Sequence, residues 1–258
     1  MIYSAGARGF EVSVKTLGKI GVGLAVVVVA FYAIGWWCFP SASLNYKLSV
    51  DVDDNGVMRH GEGVIGVDFR SNGFMRIDKT PNWSIGARGE AFAVDLGERG
   101  TLFVLLSSDR TRATLSRPRE HTSAEAGRSA LWAYYGDSFG DLPPNYDGER
   151  RLQEFARDRT VIEIAPDSLP MLVRFRDIND PTSVERVDPE HLDVSFGPGV
   201  RLMRATIQIV DEPMTTGIEK RLPWSTRLVG SIGKDMTLPY DNPLNQINDG
   251  SFREGFGK

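Results

Sequence analysis

Residues 20 to 39, "IGVGLAVVVVAFYAIGWWCF", pass without a single charge, and no other stretch so limits what the chain can become. At about 1.5 Å per residue, a helix of that length spans roughly 30 Å, the hydrocarbon thickness of a bilayer. Val26 to Val29 would make a poor helix in water, because β-branching restricts their side chains, but in lipid apolar bulk decides. Trp36 and Trp37 suit the membrane interface, where a ring buries its face and keeps its N–H wet. The run predicts a transmembrane helix over residues 20–39, in contact with the lipid bilayer.

Orientation follows from the flanking charges. Arg8, Lys15 and Lys19 precede the run, whereas the first basic residues after it are Lys47 and Arg59. The positive-inside bias predicts a cytoplasmic tail over 1–19 and export of everything after the anchor. Cleavage near the small residues "SAS" at 41–43 is the competing expectation, but a signal-peptide core is usually shorter, about 7–15 residues. A buried core helix is the remaining alternative. Gly21 and Ala25 form a small-xxx-small pair, a weak signal for helix pairing.

The next informative stretch is "DVDDNGVMRHGE", residues 51–62. Asp51, Asp53, Asn55, Gly56 and Glu62 stand at positions 1, 3, 5, 6 and 12 of a calcium-loop pattern, and "GEGVIG" fits the glycine fingerprint of dinucleotide sites. The calcium loop needs helices on both flanks, and the dinucleotide fingerprint needs a helix opening at its third glycine. Here Leu44, Tyr46, Leu48, Val50 and Val52 alternate with polar residues before the stretch, and Ile65, Val67 and Phe69 alternate after it. That is the period of half-buried strands. Asn55-Gly56 tolerates positive φ at both turn centres and predicts a type I′ hairpin. Centring the turn there pairs Val50 with Gly61, Leu48 with Gly63, Tyr46 with Ile65 and Leu44 with Val67, so the apolar sets share one face. Asp51 then lies across from His60, and Ser49 across from Glu62. The glycines are expected to leave room opposite Val50 and Leu48. A calcium site at Asp51, Asp53, Asn55 and Glu62 is the lesser reading, and no cofactor is expected.

Further strands are expected at 74–79, 90–96 and 101–108, so that 44–108 forms a meander. The arginine-bearing segment 109–122 reads as a solvated loop. Helices are expected at 123–136, with Ser123 as N-cap, and at 147–159. Strands follow at 160–165, 170–177 and 200–212. "NDPTSVERV" and "VDPEHLDVSFG" each place Asp before Pro, which suits the N-cap and first position of a helix. Residues 231–258 are rich in Gly, Asn, Asp and Pro with little periodicity, which predicts a flexible tail.

The formal net charge of −4 over 258 residues is too mild to suggest a nucleic-acid partner. The lone Cys38 excludes an intrachain disulfide. His60, His121 and His191 are scattered, and HExxH does not occur, so no metal motif is legible.

The segments "LPMLVRFRDINDPTSVERVDPEHLDVSFGPGVRL" and "DEPMTTGIEKRLPW", together with "LNYKLSVDV" after the anchor, resemble a group of uncharacterised single-pass envelope proteins of alphaproteobacteria. The resemblance implies a bacterial inner-membrane protein whose C-terminal domain faces the periplasm. It carries over no catalytic or binding residue.

Arg174, Arg176 and Asp177 precede one polar turn, Thr215 and Thr216 open another, and Trp224 follows it. If these turns share one end of the sheet, they could form a surface for a protein partner in the envelope. The plainer reading, favoured here, is that polar turns and a buried Trp close the fold. The expected whole is an α+β chain: the anchor, then a β-rich domain of antiparallel sheet over 44–230 with a few short helices. Its expected role is a non-enzymatic interaction or structural domain; an anchored hydrolase or a ligand-binding domain is the alternative.

Overall fold

The computed structural model describes residues 25–29, 40–72, 82–107, 142–239 and 242–254. Most of the 20–39 run, the expected strand 74–79, the loop 109–122 and the expected helix 123–136 lie outside the described residues. Residues 25–29 are helical and exposed. Among the described residues, no helix is long and apolar enough to cross a membrane.

The hairpin forms in the expected register. Strands β1 (Ser41–Asp54) and β2 (Val57–Ser71) pair antiparallel, with Val50 opposite Gly61, Leu48 opposite Gly63, Tyr46 opposite Ile65 and Leu44 opposite Val67. Asn55 and Gly56 have φ of 52° and 88°, the positive pair that matches a hairpin turn to the twist of its strands. The alternate apolar side chains of β1 are buried on one face.

β3 (Trp83–Glu90), a strand that the sequence reading missed, joins the far side of β2. After Ala91 the chain leaves this sheet, and β4 (Phe92–Asp95) pairs with β5 (Thr101–Val104) in a second one. The connecting Gly97 and Gly100 both have positive φ, as a tight turn there requires.

α1 (Tyr146–Phe155) starts at Asn145, whose side chain accepts from the N–H groups of Asp147 and Gly148, and it buries Leu152. It is shorter than the expected 147–159. The expected strand 160–165 contracts to β6 (Ile162–Glu163), and β7 (Leu172–Phe175) takes the centre of 170–177.

"NDPTSVERV" corrects the expectation of a helix. Asp180 does cap, accepting from Thr182 N–H, but only a 3-10 turn over Pro181–Ser183 follows. The chain then extends into β8 (Val184–Val187), paired with β7. Val184 and Val187 are β-branched and buried, so packing on β7 wins over the helix signal. α2 (Leu192–Phe196) is a single short helix closed by Gly197 at φ 93°. β9 (Val200–Val210) pairs with β1, with an irregularity between Asp51 and Val52 where Met203 is the extra residue.

Residues 231–239 and 242–254 correct a second expectation: this part of the chain is folded, not a flexible tail. α3 (Pro243–Gln246) and α4 (Asp249–Phe252) are capped by Asn242 and Asn248, and β10 (Arg253–Glu254) pairs with β3. Ile247 and Phe252 are fully buried.

The result is a β-rich domain of two antiparallel sheets with a few short helices. The larger sheet runs β10-β3-β2-β1-β9-β6 and the smaller β4-β5-β7-β8. The smaller sheet buries apolar side chains on both of its faces. Leu102, Val104 and Leu172 pack with the inner face of the large sheet, while Phe103, Leu105 and Val173 pack with Ile218, Leu222, Ile247 and Phe252. Burial on both sides explains why "LFVLL" reads as a continuous apolar run.

Candidate functional site

Two places collect the residues that the sequence singles out. The first is the outer face of the β1–β2–β9 sheet near the hairpin turn. His60 Nδ1 lies 2.7 Å from Asp51 Oδ1, and its Nε2 lies 3.4 Å from Glu62 Oε2. Arg204 Nε stands 3.6 Å from the other Asp51 oxygen. Hydrogen bonding to Asp51 holds the imidazole above its ordinary pKa, aided by Glu62 and opposed by partial burial. One step along, Arg201 Nη2 pairs with Asp53 at 2.9 Å, and Asp53 also accepts from Gly56 N–H at 2.6 Å. Asn55 spends its backbone N–H on Gly199 O. The calcium-loop positions are therefore spread along both strands of the hairpin and its turn, and Asp51 and Asp53 are paired with Arg204 and Arg201 of β9. Among the described residues, no three His, Cys, Asp or Glu side chains converge as metal ligands.

The second place is the β7–β8 end of the small sheet. Glu185 receives both Arg174, at 2.6 Å, and Arg176. The Arg176 hydrogen bond, with that of Arg174, holds the Glu185 carboxyl below the usual carboxylate range against some burial. The Arg174 guanidinium also sits 5.7 Å over the Phe196 ring, within cation–π range. Asp177 accepts from Asn179 N–H and donates its own N–H to Ser183 Oγ, which fixes the turn. Trp224 Nε1 donates to Ile178 O at 2.8 Å, inside that turn. Its ring meets Phe175 and Phe252 edge-on at 5.3 and 5.2 Å.

Arg174, Arg176, Asp177 and Trp224 thus share one neighbourhood, in which Arg176 has a 75% exposed side chain. Thr215 is held elsewhere. It donates its N–H to Val64 O and accepts from Val64 N–H through Oγ1, strapping residues 211–217 across the outer face of β2. Thr216 is exposed beside it.

Sequence reasoning missed Glu90. It is 1% exposed, and one carboxylate oxygen accepts from Gly217 N–H and, at 3.0 Å, from Ile218 N–H. Its other oxygen pairs with Arg253 at 3.1 Å. Gly217 at φ 111° turns two successive N–H groups toward it, an anion nest that the protein fills with its own carboxylate. The latch ties β3, the strap and β10 together. Tyr46 was missed as a polar group. It is fully buried, its hydroxyl has no hydrogen-bond partner among the described residues, and burial pushes its pKa far above the ordinary value.

No protein-family model matches the chain, and neither a curated protein nor a solved structure matches it.

Proposed function

We propose that this chain is a single-pass bacterial inner-membrane protein whose two-sheet domain faces the periplasm and serves as a non-enzymatic interaction or envelope-structural domain. The observation that carries the reading is the uncharged run of residues 20–39 with Arg8, Lys15 and Lys19 on its leading side. Insertion of such a segment is favourable, and the cations hold its leading end in the cytoplasm. The likeness of residues 169–224 to alphaproteobacterial envelope proteins points the same way. A docking role is supported by how the polar groups are used. His60, Asp51, Asp53 and Glu185 are all committed to neighbours within the fold, which makes a rigid charged surface. The Arg176–Asp177–Trp224 end is the favoured contact for a protein partner.

A reporter enzyme that works only outside the cytosol, fused at the C-terminus, tests the topology. Activity is expected, together with retention of the chain in membranes washed at alkaline pH. A reporter active in the cytosol, or release by the wash, overturns the reading. Photo-crosslinking from position 176 in intact cells tests docking: one discrete adduct is expected, and a smear shared with a probe at the exposed Val229 overturns it.

A further inference from the structure

The folded domain begins with almost no spacer. β1 starts at Ser41, two residues beyond Phe39 at the end of the uncharged run. Two residues reach at most about 7 Å, and the polar layer of one leaflet is about 5–8 Å deep. Hydrogen bonds tie the start of β1 to its neighbours. Ser71 N–H donates to Pro40 O at 3.0 Å, and Ser71 Oγ donates to Pro144 O at 2.7 Å. Trp83 Nε1 donates to Pro143 O at 3.0 Å, and Arg70 lies opposite Ser41. Two residues past Pro144, Tyr146 opens α1 with 67% of its surface exposed. Arg70 is exposed and forms no ion pair among the described residues. The nearby carboxylate of Asp147 is balanced by Arg150 at 3.8 Å.

We propose that this end of the domain, marked by Ser41, Arg70, Ser71 and Tyr146, rests on the phospholipid headgroups. Arg70 meets a lipid phosphate, and the Tyr146 ring sits in the interfacial layer, where aromatic side chains with one polar end are favoured. The inference rests on residues 20–39 being an anchor. β1 then carries the chain up to about 45 Å away, from fourteen residues at about 3.3 Å each. The Asn55-Gly56 turn, with exposed Val57 and Met58, is thereby held away from the bilayer and offered to the periplasm.

The test uses the full chain with Cys38→Ser and a fluorophore on either Tyr146→Cys or Met58→Cys. Each is reconstituted into phosphatidylethanolamine–phosphatidylglycerol vesicles whose lipids carry a nitroxide on the headgroup. Loss of fluorescence is expected at 146 and none at 58. Adding Arg70→Glu is expected to reduce the loss at 146; an unchanged loss overturns the phosphate contact. A bright probe at 146, or quenching at both positions, in protein that floats with the vesicles after an alkaline wash overturns the proposal while leaving the anchor intact. Failure to float removes the anchor, and the proposal with it.

Discussion

Gly63 lies directly beneath the ring of Phe92: a Cβ placed on Gly63 would collide with Phe92 Cδ1 and stand 2.9 Å from Cγ. Two positions earlier in β2, a Cβ on Gly61 would lie 2.7 Å from Ala93 O and 2.8 Å from Val94 Cγ2. The two glycines do face Leu48 and Val50 across the hairpin, but the space they leave is occupied by β4. The bare backbone lets the second sheet close on the first.

Gly63→Ala is therefore expected to destabilise the domain by about 1–3 kcal/mol, the range for an added methyl in a packed core. Phe92 is buried and has little room to yield. Gly86→Ala is the control, because nothing lies within 4 Å of its Cβ position. It should be neutral, or stabilising by about 0.5–1 kcal/mol through reduced freedom of the unfolded chain. Denaturant unfolding of both variants checks the pair; equal midpoints would mean that β4 does not need the gap.

Tyr46→Phe is expected to leave stability unchanged or raise it by about 1 kcal/mol. A buried hydroxyl without a partner loses its water hydrogen bonds and gains none. The ring contributes the packing, and Phe keeps it. A clear loss of stability in the same unfolding measurement would show that the hydroxyl is satisfied in the folded protein.

His60 makes stability depend on pH with a definite sign. Its folded pKa is raised above the ordinary 6.5, first by the Asp51 hydrogen bond. The contribution is therefore fully present below about 6.5 and is lost as pH rises through the folded value. The side chain is 52% exposed, so solvent screening keeps the effect to about 0.2–1 kcal/mol. His60→Gln should flatten the melting-temperature profile across neutral pH, and the flattening should weaken in high salt. An unaltered profile would remove the ion pair from the account.

What could be read in the sequence was local. The β1–β2 register followed from alternation and Asn55-Gly56, because a strand slipped by one residue exposes its whole apolar face. β9 was equally plain. β3 was missed because its apolar set is only Trp83, Ile85 and Ala87, interrupted by Gly86 and Gly89. "NDPTSVERV" misled because Asp-Pro serves a 3-10 turn as well as a helix. The sequence grouped Thr215 with Trp224, but the Thr215–Val64 hydrogen bonds draw it to β2. Glu90 gave no signal, since its partners are backbone N–H groups 127 and 128 residues away.

The C-terminal residues show most clearly how a low-periodicity segment can be essential. Ile247 and Phe252 are fully buried against Phe103, Leu105 and Val173, and Phe252 stacks tilted on Phe175 at 6.3 Å. The backbone is engaged too: Ala91 N–H donates to Phe252 O, and Leu106 N–H donates to Ser251 O. Without this layer, one apolar face of the small sheet would meet water. Phe252→Ala is expected to destabilise the domain by about 3–5 kcal/mol, as for other buried aromatic truncations. Ending the chain after residue 230 should be worse, giving a protein that is cleaved rapidly by added protease and binds a hydrophobic dye. Phe252→Ala keeps the Glu90–Arg253 pair, Ile247 and the backbone hydrogen bonds of residues 251 and 252, so it should still unfold cooperatively. A truncated chain as protease-resistant as the full one would mean that the small sheet is covered by something other than its own C-terminus.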